Sequence, residues 1–214
     1  MAYTSNYFEE FPDIFEIKVE ETGEKKWILN QAGFKYFIGK FDGIKFIREE
    51  GPYVADYSDG CQATQTFYNT GDKVYMISWM RDGSRGPSDP WRNNMSVARE
   101  FKLHKLKDGT HRLSQEPVEA LKTLRKEIFS VENKEVKENE NILSSIKGDE
   151  LDLEIKITPK ENDVIKFSFY QDDKQSTDLT LDLENGIAFL DFTKGNAPEY
   201  QLIQNSMDAN YFFA

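Results

Sequence analysis

The sequence lacks the features that mark secreted, membrane and disulfide-bonded proteins. Cys61 is the single cysteine among 214 residues, so no disulfide can form within the chain and nothing indicates an oxidising compartment. Neither a signal-peptide core nor a run of about eighteen apolar residues occurs. As written, the chain is expected in the cytoplasm, and export is expected only if a leader precedes Met1.

Positive charge is also scarce. Lys and Arg number 27 against 38 Asp and Glu, which gives a formal net charge of -11. Nucleic-acid backbones and anionic membranes would repel such a chain, so neither is an expected partner, and a neutral ligand such as a sugar fits better. His104 and His111 have no Cys or His at ligand spacing, so both are expected at the surface. No metal site and no cofactor is predicted.

Short alternating segments make up most of the first half. With 38% hydrophobic and 14% aromatic residues, the chain can bury the core of one large or two small domains. The segments, each followed by a turn signal, are DIFEIKV, KKWILN, FKYFIGKF, IKFIRE, ATQTFYN, KVYMISWM and MSVAREFKLHKL. Strands at this density are typical of propeller blades or barrels.

The pattern changes near residue 117. In PVEALKTLRKEIF, the apolar residues Val118, Leu121 and Leu124 have helical spacing after a proline suited to a helix start, which predicts a short helical connector. Alternation then returns in LDLEIKI, VIKFSFY, DLTLDL and IAFLDF. These segments predict a second all-β unit of the sandwich type.

The stretch FEEFPDIFEI (8–17) carries Glu9, Glu10 and Asp13 at the head of the first alternating segment. The residues alone do not distinguish these three acids as candidates for catalysis. In the simplest interpretation, all three are solvated acids at the end of a strand. A working acid needs an apolar, partly closed setting that raises its pKa and holds a proton near neutral pH. Phe11 and Pro12 offer such a wall, and the proline fixes the direction of the chain.

Several segments, in the same order along the chain, resemble those of one family. EFPD (10–13) is similar to the family's E-C-P-D segment, and ATQTF (63–67) is similar to the end of its D-Y-G-x-x-F-Y-A-A-Q-T-F strand. ISWM (77–80), PWRNNMSVARE (90–100), QEPVEALKTLR (115–125) and FLDFTKG (189–195) resemble I-G-W-M, P-W-R-G-x-M-S-x-P-R-E, Q-x-P-V-x-E-L-x-x-L-R and L-D-R-T-K-S-G. The chain thus resembles glycoside hydrolase family 32, the β-fructofuranosidases, which include invertases, levanases and inulinases.

The resemblance implies an all-β fold, in which the last blades of a five-bladed β-propeller are followed by a partial β-sandwich. It assigns residues 1–114 to the propeller and 115–127 to a helical connector. Residues 128–214 would form the sandwich, which looks truncated.

The resemblance also assigns roles to the candidate residues. Glu10 matches the acid/base of a retaining glycosidase, Asp13 becomes its supporting neighbour, and Glu9 keeps the solvated interpretation. Trp79 matches a tryptophan that lines the fructose pocket, with core packing as the alternative. Gln65 and Asp56 are weaker candidates for polar sugar contacts. Packing or pairing roles are expected for Trp27, Trp91, Arg99 and Glu100.

Two segments of the family pattern have no match here. The family's nucleophile lies in a W-M-N-D-P-N-G segment, and a second Asp lies in an R-D-P segment; neither precedes Glu10. Asp82, in the string Trp79 to Gly83, belongs to the I-G-W-M segment and is not expected to be a nucleophile. Glu10 alone is therefore half of a two-carboxylate mechanism.

Two functional interpretations follow. In the first, the chain is part of a retaining hydrolase of β-fructofuranosides such as sucrose, levan or inulin, and it is inactive alone. In the second, it is a non-catalytic remnant of the family that binds carbohydrate or a protein. Unpaired blade faces and strand edges further predict self-association or pairing with a complementary N-terminal propeller segment.

Overall fold

The computed structural model describes residues 10–31, 35–57, 60–80, 94–148, 151–160, 163–172, 174–191 and 205–206. Within these ranges the fold is all-β, with twelve strands and one short 3-10 helix, as the sequence predicted. The chain divides into two compact units, Met1–Glu119 and Ala120–Ala214. Among the helical residues described, none forms a segment long and apolar enough to cross a membrane.

The first sheet contains four antiparallel strands in chain order: β1 Asp13–Lys18, β2 Lys25–Asn30, β3 Lys35–Phe41 and β4 Phe46–Val54. Alternation in DIFEIK turns Phe15 and Ile17 towards the core, as period-2 patterning requires. Trp27 packs edge-on against Phe41, with the ring centroids 5.2 Å apart. These strands confirm the four segments predicted from the alternating pattern.

The second sheet repeats this arrangement with four more antiparallel strands: β5 Cys61–Thr66, β6 Val74–Met80, β7 Arg99–Lys105 and β8 His111–Pro117. Met76 on β6 and Leu103 on β7 are fully buried. The two sheets share one hydrophobic core, whose buried members are Phe15, Ile17, Val19, Ile28, Tyr36, Ile38, Cys61, Met76, Phe101 and Leu103. A parallel bridge between Val19 and Leu103 joins the end of β1 to β7.

A polar cluster links the last strands of the two sheets, β4 and β8. The Glu50 carboxylate accepts hydrogen bonds from the His111 backbone N–H at 2.9 Å and the His111 Nδ1 at 2.6 Å. The Tyr36 hydroxyl accepts the Leu113 N–H at 3.0 Å, and burial raises the pKa of Tyr36 to about 12. The expectation that His111 lies at the surface is wrong: only 6% of it is exposed, because Glu50 supplies a partner from the neighbouring sheet.

The segment after β8 is less helical than its apolar spacing predicts. Gln115 to Pro117 still belong to β8, and the helix is a 3-10 helix that covers only Glu119–Leu124. Leu124 is 80% exposed, so the predicted apolar stripe does not face a core within the described residues. The division of the chain at 115–127 stays a prediction.

The second unit contains one antiparallel sheet in the described residues, in the order β12-β11-β10-β9. Its strands are β9 Val164–Phe169, β10 Thr177–Asp182, β11 Ile187–Asp191 and β12 Asn205–Ser206. LDLEIKI (151–157) was expected to be a strand, but its described backbone forms none. Instead, Asp152 and Glu154 bind the Arg125 guanidinium, so alternation there reflects a solvated ionic contact.

Candidate functional site

Glu10 stands directly before β1, at the entry of the chain into the first sheet. Its side chain is exposed and makes no hydrogen bond with the described residues. The next residue, Phe11, has a φ of 56° and is 54% exposed. A left-handed conformation costs a non-glycine residue about 1–2 kcal/mol, and it persists only where neighbouring structure holds it. The backbone at Glu10 is therefore shaped by outside contacts.

Those contacts come from β5 of the second sheet. Gln65 donates from Nε2 to the Phe11 carbonyl at 3.3 Å, and the Thr66 N–H donates to Asp13 Oδ2 at 2.7 Å. Asp13 is thus a hydrogen-bond acceptor that fixes the start of β1. Of the two acids, Asp13 accepts a hydrogen bond from β5, whereas the exposed Glu10 carboxyl makes none with the described residues.

Asn30, at the end of β2, makes a second connection between the sheets. It is fully buried, its Oδ1 accepts the Asp13 N–H at 3.1 Å, and its Nδ2 donates to the Thr64 carbonyl at 3.3 Å. Sequence reasoning missed Asn30, which was treated only as the last residue of the strand KKWILN. A carboxamide closing an apolar strand was the available signal, since such a group needs partners when it is buried.

A β-bulge in β5 brings Gln65 to this position. Gln62 pairs with Trp79 and Gln65 pairs with Ile77, so Ala63 and Thr64 together oppose one residue of β6. Ala63 has a φ of 49°, which fits the irregular backbone of a bulge. The extra residue turns Thr64 to the buried face and returns Gln65 to the exposed one.

Trp79 shares the face of the second sheet on which Gln65 lies. Side chains two residues apart on a strand point the same way, so Ile77, opposite Gln65, and Trp79 lie on one face of β6. Trp79 is half-buried and bridges to Met95 through the backbone. The structure thus places Glu10, Asp13 and Gln65 together and Trp79 on the same face as Gln65.

Asp56 lies elsewhere, in a polar network on the buried face of the second sheet. Its Oδ2 accepts from Arg99 Nη1 at 3.1 Å, and the two side chains are 18% and 14% exposed. Arg99 also donates to the Ser78 hydroxyl at 2.8 Å and to Gln115 Oε1 at 2.6 Å. Because Ser78 and Trp79 are consecutive on β6, they face opposite sides. Asp56 therefore contacts the face of the second sheet that is opposite to Trp79.

Other candidate residues fall outside this picture. Glu9, Asp82 and Trp91 lie outside the described residues. Among the residues that the structure describes, no group of three or more His, Cys, Asp or Glu is arranged to hold a metal ion.

The segments that form the two sheets of the first unit match a known domain. Residues 2–117 correspond to the glycosyl hydrolases family 32 N-terminal domain. The chain belongs to glycosyl hydrolase family 32. In this family 32 chain, Glu10, the left-handed Phe11 turn and the β5 bulge all lie within the matched domain.

Known proteins similar to this family 32 chain include two bacterial levanases. It is 28% identical over 205 residues to a levanase of Bacillus subtilis, covering 85% of this chain and 30% of that protein. It is 26% identical over 227 aligned residues to a levanbiose-producing levanase of Geobacillus stearothermophilus, covering 92% of this chain and 56% of that protein. The chain therefore spans about half or less of the relatives that it matches.

Solved structures show the same fold. An exo-inulinase from Aspergillus awamori superposes with a TM-score of 0.63 at 17% identity, covering 92% of this chain and 44% of the inulinase. A fructofuranosidase from Schwanniomyces occidentalis, complexed with fructosylnystose, gives a TM-score of 0.56 at 20% identity, covering 89% of this chain and 43% of that one.

Proposed function

We propose that these residues form the acid/base-bearing part of a retaining hydrolase of β-fructofuranosides such as sucrose, levan or inulin. The observation that carries this proposal is the position of Glu10, an exposed carboxyl on a backbone that contacts from the second sheet hold in place. Membership of family 32 supports the substrate class, since the related proteins include levanases and an invertase. No cofactor is needed for this chemistry.

In the proposed mechanism, Glu10 acts twice. A retaining glycosidase uses two carboxyl groups about 5 Å apart, of which one attacks the anomeric carbon while the other protonates the leaving oxygen. Glu10 protonates that oxygen and later takes a proton from the water that releases fructose. Asp13 lies in the segment that resembles E-C-P-D and accepts the Thr66 N–H, so its proposed role is support. The proposed source of the nucleophile is a segment other than these 214 residues, because no stretch here resembles the family's W-M-N-D-P-N-G.

Sugar binding is proposed on the face that carries Gln65 and Trp79. The indole of Trp79 offers a flat apolar surface on which a fructosyl ring can pack. Gln65 contributes at the edge of this face, beside Phe11. Asp56 is the weakest member of the proposed set, since it is engaged by Arg99 on the opposite face.

The same proposal gives the two sheets of the first unit their place in the whole enzyme. Each is a four-stranded antiparallel meander in chain order, which is the form of a propeller blade. We assign them to the last blades of a five-bladed propeller and the sheet of the second unit to part of a β-sandwich. A complementary propeller segment that supplies the nucleophile is then the expected partner.

The proposal is tested by fructose release. These 214 residues alone are expected to release no fructose from sucrose, inulin or levan, because the attacking carboxylate is missing. In a form joined to a nucleophile-bearing segment, Glu10→Gln is expected to lower kcat on sucrose by about 10²–10⁴-fold, the usual contribution of a general acid/base. The measurement is a coupled assay of released fructose, with Glu16→Gln on β1 as the matched control.

Two results would contradict this proposal. Turnover by the 214 residues alone would show that the nucleophile lies within them, and unchanged turnover in the Glu10→Gln form would remove the role of Glu10. A third result would instead favour a carbohydrate-binding module. In that case the protein never gains activity but binds fructan, and Glu10→Gln does not change the affinity measured by calorimetric titration.

A further inference from the structure

We infer that Asn30 and Gln65 are positioning residues for Glu10: their two carboxamides hold the left-handed turn at Phe11 that presents the Glu10 carboxyl. This inference rests on the proposed function, because it takes Glu10 to be the acid/base. It assigns Gln65 a task within the protein beside its proposed place at the sugar-binding face.

The turn at Phe11 determines where Glu10 points. Glu10 and Phe11 share a planar peptide unit, so a rotation about the N–Cα bond of Phe11 swings Glu10 relative to β1. The observed φ of 56° is one that a residue with a Cβ rarely adopts without support. If that support is lost, Phe11 relaxes towards an extended backbone and carries Glu10 away from its present position.

Both carboxamides meet at one carbonyl of the bulge. The Thr64 carbonyl accepts from Gln65 Nε2 at 3.1 Å and from Asn30 Nδ2 at 3.3 Å. Gln65 then reaches the Phe11 carbonyl at 3.3 Å, and Asn30 Oδ1 accepts the Asp13 N–H at 3.1 Å. The two side chains thus hydrogen-bond to the backbone on either side of Pro12, at Phe11 and Asp13, and both also donate to the Thr64 carbonyl.

Burial makes this hydrogen-bond network firm. Asn30 and Thr64 are almost completely buried, and Thr64 Oγ1 lies 2.7 Å from the Ser78 hydroxyl. A buried amide that loses its partners is costly, so the network has one favoured arrangement. The geometry points to a rigid support beneath Glu10, and fixed positioning is what a catalytic group requires.

The proposed chemistry supplies a readout that a purely structural role would not move. With sucrose, the proton of Glu10 passes to the glucosyl oxygen as its bond to the anomeric carbon breaks, while the carboxylate from the missing segment bonds to that carbon. With β-D-fructofuranosyl fluoride, the leaving group departs as fluoride ion and needs no proton. A displaced Glu10 therefore slows the first step with sucrose but not the first step with fructosyl fluoride.

The test compares these two substrates in a form of the protein that turns over sucrose. The variants are Asn30→Leu and Gln65→Met, which keep the approximate size of each side chain and remove its hydrogen bonds. Each is expected to lower kcat/KM for sucrose about tenfold to a hundredfold, as small displacements of catalytic groups do. For Asn30→Leu, the kcat/KM for fructosyl fluoride is expected to stay at the wild-type value. For Gln65→Met, which also alters the proposed sugar-binding face, the ratio of sucrose to fructosyl fluoride kcat/KM is expected to fall. Added azide, which attacks without a base, should raise the turnover of fructosyl fluoride in both variants.

Ile28→Val is the matched control for stability. Ile28 is fully buried on the same strand as Asn30, so this variant should lower the melting temperature without touching the turn. Its ratio of sucrose to fluoride kcat/KM should equal that of the wild type. A change of the ratio in Ile28→Val as large as in the other two variants would overturn the inference, because the ratio would then report stability.

A second measurement uses the 214 residues alone. A strong NMR cross-peak between the amide and Hα protons of Phe11 is diagnostic of a positive φ, and it should weaken in Asn30→Leu and Gln65→Met but not in Ile28→Val. An unchanged cross-peak in both variants would overturn the inference.

The proposed function can fail separately from this inference. If Glu10→Gln abolishes sucrose turnover while the Asn30 and Gln65 variants keep the wild-type ratio, the positioning role is wrong and the function of Glu10 stands. If Glu10→Gln leaves turnover intact, the proposed function is wrong, and the cross-peak still decides whether the carboxamides hold the turn.

Discussion

At the scale of single residues, Asp56 has two candidate roles, a contact with the sugar and an ion pair with Arg99. A sugar contact requires an accessible carboxylate, whereas the pair with Arg99 lies mostly out of solvent, at 18% and 14% exposure. Removing one member of a largely buried pair leaves the other charge without compensation. The stability of the first unit therefore depends on Asp56 whether or not it meets a ligand.

Asp56→Asn is expected to lower the free energy of unfolding by about 1–3 kcal/mol, since it removes the charge that Arg99 faces. Asp72→Asn is the matched control, because Asp72 pairs with Lys18 in an exposed salt bridge, and its expected effect on stability is much smaller. Urea unfolding of both variants measures this. Equal stability of Asp56→Asn and wild type, together with weaker fructan binding, would favour the sugar contact.

At the scale of elements, Glu50 and His111 connect β4 to β8. Burial alone would raise the pKa of Glu50, but hydrogen bonds from the His111 imidazole and N–H outweigh it and hold the pKa below its ordinary 4.5. The unfolded chain then binds this proton more tightly than the folded chain does. Stability from this contact is present above about pH 4.5 and is lost as the pH falls through the folded-state pKa.

Glu50→Gln should therefore flatten the acid limb of the stability curve. Wild-type stability is expected to fall more steeply than that of the variant between about pH 5 and pH 3. Thermal melts across this range provide the measurement, with Glu116→Gln, an exposed acid on β8, as the control for removal of one carboxylate. Parallel curves for Glu50→Gln and wild type would show that the carboxylate contributes nothing to the link.

The strands were largely predictable because the alternation of apolar and polar residues is visible within each segment of the sequence. DIFEIK and VYMISWM carry their own burial pattern, and both form strands where the pattern indicated. LDLEIKI has the same pattern but forms no strand. A strand also needs a neighbouring strand with which to pair its backbone hydrogen bonds, and the sequence of one segment does not show whether such a neighbour exists. Tertiary partners explain the other differences too: Glu50 buries His111, and the bulge in β5 gives Asn30 its role.

At the scale of the whole molecule, two sheets cannot close a propeller ring by themselves. Large apolar side chains on the first unit are exposed, among them Ile44, Ile47, Tyr68, Met95 and Val97. Faces and edges that neighbouring blades would cover favour association with another chain. The family resemblance predicted this need for a covering partner.

The 214 residues are expected to self-associate, with a sedimentation coefficient that rises with concentration in the micromolar range. Addition of a nucleophile-bearing propeller segment should convert the population to a single smaller complex, because it covers the same surfaces. A concentration-independent monomer with a sharp, cooperative melt would contradict this expectation.

The order of the strands has a consequence for how such a chain is made. Within the described residues, every strand ladder of the three sheets joins neighbours in sequence, so the pairing is local along the chain and the relative contact order of a sheet is low. The strands of each meander can pair as they leave the ribosome, before the next meander is synthesised. A break in the polypeptide between β4 and β5 would sever no ladder within a sheet. Because the two sheets share one hydrophobic core, the two pieces are expected to fold only when they are produced together.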